Sequence, residues 1–281
     1  MGTLIGPEEL HESISSRAVG LRLLDVRWRL DRPNGYAKYL QGHVPGAVFV
    51  DLDTELAEHG RPLSEGRHPL PTIETLQSAA RRWGLHEGDT VVVYDDIKNT
   101  ASARAWWLLR HAGVKDVRVL DGSLRGWIDA GLALETGEIR PDPGSITLRY
   151  GTLEALSINQ VAGFPQHGTL VDARAAERYR GEHEPIDPRA GHIPGALNAP
   201  TTANLNENGR FLEPEALREQ FLSVGVDPDK PVATYCGSGI TAAHSTLALE
   251  RAGFEAVLYP GSFSQWANHP DREVITGDQP G

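Results

Sequence analysis

The chain has 281 residues, a length that suggests about two domains, and its 40% hydrophobic and 23% charged residues are typical of globular proteins. The formal net charge of −11 argues against nucleic acid or an anionic membrane surface as the main partner. No apolar run approaches the ~18 residues that would predict a membrane span, so neither a nucleic-acid nor a membrane partner is expected.

The first residues lack the basic and apolar regions of a secretory signal peptide, and a chain with one cysteine cannot form an internal disulfide. Both features favour a cytoplasmic location. The 11 histidines show no ligand spacing of a known metal motif. We therefore expect no metal and no cofactor.

Short apolar strands alternate with helical stretches along the first half of the chain. The pattern predicts a strand at 90–94, a helix at 101–112 that ends before Gly113, and another strand at 117–120. This alternation indicates an α/β fold with a mainly parallel sheet flanked by helices.

Four motifs of the first half return in the same order in the second half. Leu23–Arg27 matches Leu170–Arg174, Gly42–Ala47 matches Gly191–Ala196, Val91–Asp95 matches Val232–Cys236, and Gly122–Trp127 matches Gly261–Trp266. The offset of about 140 to 150 residues is far longer than a solenoid repeat, so it indicates a duplicated globular domain. Several motif residues are predicted to serve turns, networks and packing rather than chemistry: His43, His192, Asp25, Asp172, Trp127 and Trp266.

A segment rich in proline and glycine, with no sustained periodicity, separates the two copies. We place the first domain at 1–138, the linker at 139–154 and the second domain at 155–281.

The only cysteine, Cys236, opens a glycine-rich loop between a predicted strand and a predicted helix that ends at Glu250 and Arg251, with Gly253 just past its end. Gly237 and Gly239 allow the backbone to curl so that successive N–H groups point at an anion. The helix N-terminus also favours negative charge, and hence the thiolate form of the cysteine. Because the thiolate is the reactive form, we predict Cys236 as a nucleophile rather than a small buried apolar residue.

The first copy carries Asp95, followed by Asp96 to Asn99, where the second copy carries Cys236 and its loop. A carboxylate cannot perform thiolate chemistry. The first domain is therefore predicted to be catalytically silent and to help shape the substrate cleft.

Two other kinds of site fit the loop less well. A cysteine phosphatase needs an arginine six positions after the cysteine, where this chain has Ala242. The spacing of Gly237, Gly239 and Ala242 formally fits a dinucleotide-binding fingerprint, but the acidic residue expected at the end of the next strand is missing.

The duplicated domain, the Gly-His-x-Pro-Gly-Ala turn in each half and the Cys-Gly-Ser-Gly-Ile-Thr loop at 236–241 resemble the tandem-domain rhodanese family over nearly the whole chain. The loop is most similar to the 3-mercaptopyruvate sulfurtransferase branch, because the thiosulfate branch typically has Arg and Lys where this chain has Gly237 and Ser238. The resemblance implies transfer of a sulfane sulfur from 3-mercaptopyruvate through a Cys236 persulfide, with release of pyruvate. It also implies substrate contacts by the loop residues Gly237, Gly239, Ile240 and Thr241.

For this branch the resemblance implies two arginines that hold the carboxylate and keto oxygen of the donor. The matching positions are Arg178 and Arg189, with Arg180 as an alternative to Arg178. A surface role for any one of these arginines is the simpler alternative.

The resemblance further implies a proton relay of Ser238, His68 and Asp53, with Asp51 as an alternative to Asp53. A histidine oriented by an acid can transfer a proton near neutral pH. The alternative for His68 is an exposed loop residue without a chemical role.

The expected partners are a small sulfur donor and an acceptor, which is a thiol, cyanide or a thioredoxin-like protein. Two other functions stay open at this point. The first is a thiosulfate sulfurtransferase, and the second is a sulfur carrier or interaction module with little turnover.

Overall fold

The structure is a computed structural model that describes residues 2–31 and 35–281. The chain divides into two compact units. The first consists of Met1–Glu58, Pro71–Leu153 and Glu207–Phe211, and the second of His59–Leu70, Glu154–Asn206 and Leu212–Gly281. The segment that contains His68 therefore belongs to the second unit, and the predicted boundaries at 138 and 155 stay a prediction.

The first unit is built on a five-stranded parallel sheet with the strand order β1-β5-β4-β2-β3. Its strands are β1 (Leu4–Ile5), β2 (Leu21–Asp25), β3 (Ala47–Phe49), β4 (Thr90–Tyr94) and β5 (Asp116–Leu120). Its helices are α1 (Pro7–Ser15), α2 (Gly35–Gln41), α3 (Leu52–Glu55), α4 (Ile73–Arg82), α5 (Thr100–His111) and α6 (Ser123–Asp129). The strand predicted at 90–94 is confirmed, and the helix predicted at 101–112 begins one residue earlier and ends at His111.

The second unit has a four-stranded parallel sheet with the order β7-β6-β8-β9. Its strands are β6 (Thr169–Asp172), β7 (Ala196–Asn198), β8 (Val232–Tyr235) and β9 (Ala256–Leu258). Its helices are α7 (Ile158–Gly163), α8 (Ala176–Tyr179), α9 (Pro214–Ser223), α10 (Thr241–Arg251) and α11 (Ser262–Ala267), and 3₁₀ turns lie at Leu63–Glu65, Phe164–Gln166 and Thr201–Asn204. The predicted α/β fold with two parallel sheets flanked by helices is thus confirmed.

The strand β8 is the element that positions the predicted nucleophile. It lies between β6 and β9, and all of its residues are buried, as expected for a central parallel strand covered on both faces. Its carboxyl end leads directly into Cys236. In open parallel sheets, ligands bind outside this end of the strands.

The repeated motifs build the same buried ion pair in each unit. Arg27 binds the carboxylate of Asp25 and a glycine carbonyl 2.8 Å away, and Arg174 binds Asp172 and a glycine carbonyl at 2.6 Å. All four side chains are almost completely buried. Each arginine therefore links the end of its strand to the Gly-His-x-Pro-Gly-Ala turn. Loss of either partner would leave a buried charge unpaired, which is costly.

The two histidines of these turns have the structural role predicted for them. His43 and His192 each stack on a buried tyrosine, and their Nδ1 atoms lie 2.9 and 2.8 Å from backbone carbonyl oxygens. Trp127 and Trp266 are also buried and each donates its indole N–H to a backbone carbonyl. Among the helices of the two described ranges, none has the length and apolar character needed to cross a membrane.

Candidate active site

The backbone of Cys236 is fixed by the start of α11. Its N–H donates to Ser262 Oγ at 3.1 Å, and its carbonyl accepts from the N–H of Phe263 at 2.9 Å. The residue is buried, with 1% of its surface exposed. The side chain accepts a hydrogen bond within its own loop, since Sγ lies 3.2 Å from the N–H of Gly239.

Gly239 permits the loop to close around the sulfur. Its φ of +81° is unfavourable for other residues, and a Cβ placed there would lie 2.2 Å from the carbonyl oxygen of Pro260. The helix α10 follows, with the apolar Ile240 at its N-cap and no side-chain cap. Its N-terminus therefore remains available to stabilise negative charge at the loop.

Two arginines approach the loop beside the cysteine. A Cβ placed at Gly237 would lie 2.9 Å from Arg67 Nη2 and 3.4 Å from Arg178 Nη1. The absence of a side chain at Gly237 leaves this space to the two guanidinium groups. The loop itself supplies no cation, as the sequence indicated, but other segments of the same unit do.

Buried carboxylates orient these arginines. Asp187 binds Arg67 through Nη1 and Arg178 through Nη2, the latter at 3.3 Å. Glu184 accepts from Arg178 Nε at 3.1 Å and Nη2 at 2.6 Å, and also contacts Arg174 at 3.3 Å. Burial acts to raise the pKa of both carboxyl groups. At Glu184 the hydrogen bonds from Arg178, the charge of Arg178 and the backbone N–H groups of Asp187 and Ile186 together outweigh burial, so its pKa is lowered, whereas the pKa of Asp187 is raised.

The predicted arginines have different surroundings. Arg178 lies at the loop, as described above. All three guanidinium nitrogens of Arg189 donate to backbone carbonyls, those of Trp266, Ala267, His269 and Arg272, at 2.6 to 3.0 Å. These contacts hold the end of α11 and the turn after it. The resemblance implies instead that the guanidinium of Arg189 faces the substrate. Arg180 pairs with the exposed Glu182.

The residues of the predicted relay are distributed over both units. Ser238 and His68 are partly buried residues of the second unit, and the Ser238 hydroxyl has no hydrogen-bond partner among residues 2–31 and 35–281. Asp53 lies in α3 of the first unit. Its alternative, Asp51, caps α3 by accepting from the N–H of Thr54 at 3.2 Å. The relay stays a prediction.

The sequence motifs assign no role to Arg67 or to the two carboxylates that orient the arginines, Glu184 and Asp187. Arg67 is next to His68 in the chain, but only the folded unit shows that it reaches Gly237. The one signal in the sequence was the density of charged residues between Arg174 and Arg189.

Comparison with known proteins gives a consistent set of relatives. The family described as "Rhodanese-like domain" matches residues 6–130 and 156–269. The 3-mercaptopyruvate sulfurtransferase of Escherichia coli K12 is 36% identical over 279 residues, which cover 96% of each chain. SseB of Mycobacterium tuberculosis, whose name refers to thiosulfate sulfurtransferase activity, is 47% identical over 258 residues, which cover 91% of this chain and 90% of SseB.

A solved structure shows the same architecture. The crystal structure of SseA from Escherichia coli, a 3-mercaptopyruvate sulfurtransferase, superimposes with a TM-score of 0.84 and 34% sequence identity. The alignment covers 94% of this chain and 99% of SseA.

Proposed function

The chain belongs to the family of rhodanese-like proteins, and we propose that it is a sulfurtransferase that moves a sulfane sulfur from 3-mercaptopyruvate through a persulfide on Cys236. The observation that carries this proposal is the loop at the end of β8. It combines a buried thiol, a backbone N–H 3.2 Å from the sulfur and two guanidinium groups beside Gly237.

The proposed first half-reaction needs no external oxidant or reductant. The Cys236 thiolate attacks the sulfur of 3-mercaptopyruvate, an S–S bond forms, and the carbon–sulfur bond breaks. The electrons of that bond leave with carbon as the enolate of pyruvate. The enolate takes up a proton equivalent to the one lost by the donor thiol, and pyruvate is released while the sulfur stays on Cys236.

In the second half-reaction, an acceptor attacks the outer sulfur of the persulfide. The S–S bond breaks, and its electrons return to Cys236 as the thiolate. A thiol, cyanide or a thioredoxin-like protein can act as the acceptor. Since the enzyme is modified between the two steps, ping-pong kinetics are expected.

The proposed roles follow the chemistry of each group. The backbone N–H groups of Gly237, Gly239, Ile240 and Thr241 stabilise the anionic persulfide. Arg178 binds the carboxylate of the donor. We propose Ser238, His68 and Asp53 as the relay that moves the proton.

Thiosulfate is the second candidate donor. It is a compact dianion that benefits from cations beside the thiolate, and Arg67 and Arg178 supply them although the loop does not. The name of the SseB relative adds to this candidate. Measuring kcat/KM for both donors on one preparation separates the two, and a higher value with thiosulfate would replace 3-mercaptopyruvate as the donor.

Mass spectrometry tests the persulfide. After treatment with 3-mercaptopyruvate, Cys236 should carry one additional sulfur, and the Cys236→Ser variant should form pyruvate at least ~1,000-fold more slowly. Equal pyruvate formation by both chains would reject the enzymatic function and favour a carrier or interaction module.

We place the reaction in the cytoplasm and assign it to the domain at 155–281. In this proposal the domain at 1–138 is silent and 139–154 is the linker.

A further inference from the structure

We propose that the arm, which comprises residues 59–70, opens to admit a large sulfur acceptor, and that His269 holds the arm closed. The inference rests on the proposed function, because it concerns the second half-reaction of the sulfur transfer. It identifies His269 as a residue that determines which acceptors reach the persulfide.

The proposed nucleophile is enclosed on the side of the arm. Cys236 has 1% of its surface exposed, and a Cβ placed at the next residue, Gly237, would lie 2.9 Å from Nη2 of Arg67 in the arm. An acceptor thiol has to reach the outer sulfur of the persulfide, so the rate of the exchange depends on access to that atom. Cyanide is small enough to enter a narrow opening, whereas a thioredoxin-like protein has to bring its own cysteine to the sulfur. For the protein acceptor, part of the surrounding structure has to move.

The arm is weakly packed. Among residues 59–70 only Gly66 is buried, and Leu63 is 58% exposed. The two ends of the arm are close together, because the N–H of Thr72 donates to the carboxylate of Glu58 at 3.2 Å. Compact loops with adjacent ends and few buried apolar contacts open at a much lower cost than the core of a domain. The arm can therefore move as one body while the sheet stays folded.

The side chain of His269 connects the arm to the turn after α11. Its Nε2 lies 3.0 Å from the carbonyl oxygen of Ser64 in the arm, and the ring nitrogen is the donor because a carbonyl only accepts. The backbone of His269 is held separately: its N–H donates to Trp266 at 3.1 Å, and its carbonyl accepts from Arg189 at 2.8 Å. Replacing the side chain should therefore release the arm without releasing the end of α11.

Further anchors hold the arm beside the cysteine loop. The N–H of Arg67 donates to Ser264 Oγ at 3.1 Å, and the N–H of Ser264 donates to the carbonyl of Gly237 at 2.8 Å. Asp187 binds the guanidinium of Arg67, which is the far end of a long side chain and can follow a movement of the backbone. The hydrogen bonds to His269 and Ser264 can be exchanged for bonds to water at a small net cost. The open arm is thus energetically accessible.

Two neighbouring amides of the arm distinguish opening from local unfolding. The N–H of Gly66 donates to the carbonyl of Leu63 at 2.9 Å, within the arm, whereas the N–H of Arg67 donates to Ser264, outside it. When the arm opens as one body, the first hydrogen bond stays and the second breaks. Hydrogen exchange at these two residues therefore reports the type of motion.

The main test follows the second half-reaction by rapid quench and mass spectrometry, after the persulfide has formed with 3-mercaptopyruvate and the donor has been removed. Loss of one hydrogen bond shifts an opening equilibrium roughly 2- to 12-fold, so His269→Ala should raise the rate constant with a reduced thioredoxin by that factor. The rate constant with cyanide should change less than ~1.5-fold, because access does not limit a small acceptor.

Two further variants serve as controls for this test. His269→Gln keeps an N–H group that can reach the carbonyl of Ser64, so its rate constant with thioredoxin should lie within ~2-fold of the wild type. His86→Ala removes a histidine that contacts Ser145 Oγ at 3.0 Å in the first unit, and it should leave both rate constants unchanged.

Hydrogen exchange gives a second measurement that needs no turnover. In the chain without donor, His269→Ala should accelerate exchange of the Arg67 amide roughly 2- to 12-fold and that of the Gly66 amide less than ~2-fold. If that chain does not fold, His269→Phe keeps a ring and removes the donor. Equal changes with thioredoxin and cyanide, an unchanged exchange rate at Arg67, or equal acceleration of both amides would overturn the role of the arm. Failure of the wild type to form a persulfide would instead reject the proposed function.

Discussion

The two units place the same strand, loop and helix around different groups. In the first unit the carboxylate of Asp95 accepts four backbone N–H groups, and in the second the sulfur of Cys236 accepts one, from Gly239 at 3.2 Å. The four donors in the first unit are Ile97, Asn99, Ala101 and Ser102, at 2.8 to 2.9 Å. In both units the loop thus directs backbone N–H groups at the side chain that precedes it, but the carboxylate of Asp95 accepts more of them than the sulfur of Cys236.

The side chains of Asp95 and Cys236 differ in length. One oxygen of Asp95 reaches the first turn of α5 and acts as its cap, whereas α10 begins without a side-chain cap. The cysteine sulfur is directly bonded to Cβ, and the aspartate oxygens are one bond further out. A second sulfur on Cys236 extends the side chain by that one bond, so the resident carboxylate of the first unit mimics the proposed persulfide of the second.

The two units also differ at the next loop position. Asp96 of the first unit stands where the second unit has Gly237, and its carboxylate lies 3.3 Å from Arg29. Gly237 instead leaves open the space beside Arg67 and Arg178. The first unit therefore fills the place in which the second unit is proposed to bind its donor.

Exchanging the occupant tests this comparison with the largest expected effect. In the double variant Asp95→Cys and Cys236→Ser, the new thiol should gain no sulfur from 3-mercaptopyruvate, because Asp96 occupies the position that Gly237 leaves open in the second unit. Mass spectrometry of the folded variant measures this, with wild-type Cys236 as the positive control. A persulfide at position 95 would mean that the loop alone, without the arginines, is sufficient for the reaction.

The second prediction concerns the glycine that closes the cysteine loop. Gly239→Ala should destabilise the second unit by more than ~3 kcal/mol and lower activity at least 100-fold, because it combines a left-handed φ with a clash against backbone. Gly277→Ala is the control, since Gly277 has a φ of +91° but nothing within 4 Å of the added Cβ. Its cost should be about 1 to 2 kcal/mol in urea unfolding.

The corresponding residue of the first unit explains why the clash matters more than the angle. Lys98 has a φ of 60°, so a side chain is tolerated at this loop position when no backbone lies against it. Equal costs for the alanine variants of Gly239 and Gly277 would show that the contact with Pro260 has no energetic role.

The third prediction uses the pH dependence of stability. Burial raises the pKa of Asp95 to about 6, although its backbone hydrogen bonds act in the opposite direction. In the unfolded chain the same carboxyl ionises near pH ~4. The native state therefore holds a proton between these values that the unfolded state has lost. The contribution of this proton to the free energy of unfolding is fully present below pH ~4. It falls by about 3 kcal/mol as the pH rises through 6.

Urea unfolding followed by tryptophan fluorescence measures this effect, because five of the six tryptophans belong to the first unit. Asp95→Asn cannot titrate, so the free energy of unfolding of the wild type relative to this variant should fall between pH 4 and 6.5. A rise over the same range would show that the N–H groups outweigh burial.

The sequence was sufficient to predict what depends on local pattern. The repeat of motifs indicated two similar domains, and the strand and glycine-rich loop around Cys236 are present as predicted. The surroundings of Arg189 and the approach of Arg67 to Gly237 could not be predicted in this way. Both depend on contacts between segments more than 70 residues apart in the chain, for which spacing gives no information.

The smallest predicted effect tests why position 237 carries glycine. The residue either leaves space for the neighbouring arginines or gives the loop backbone its flexibility. An added Cβ would lie 2.9 Å from Arg67 Nη2, the mobile end of a long side chain, so Gly237→Ala should displace the guanidinium by a few tenths of an ångström. Since hydrogen bonds to charged groups weaken with misplacement, we expect kcat/KM for 3-mercaptopyruvate to fall about 2- to 5-fold, with little change for its uncharged methyl ester. Gly163→Ala, with open space around its Cβ, should leave both values unchanged. A similar decrease for acid and ester in Gly237→Ala would indicate that the loop, rather than the arginine, was displaced, and would remove the proposed reason for glycine at this position.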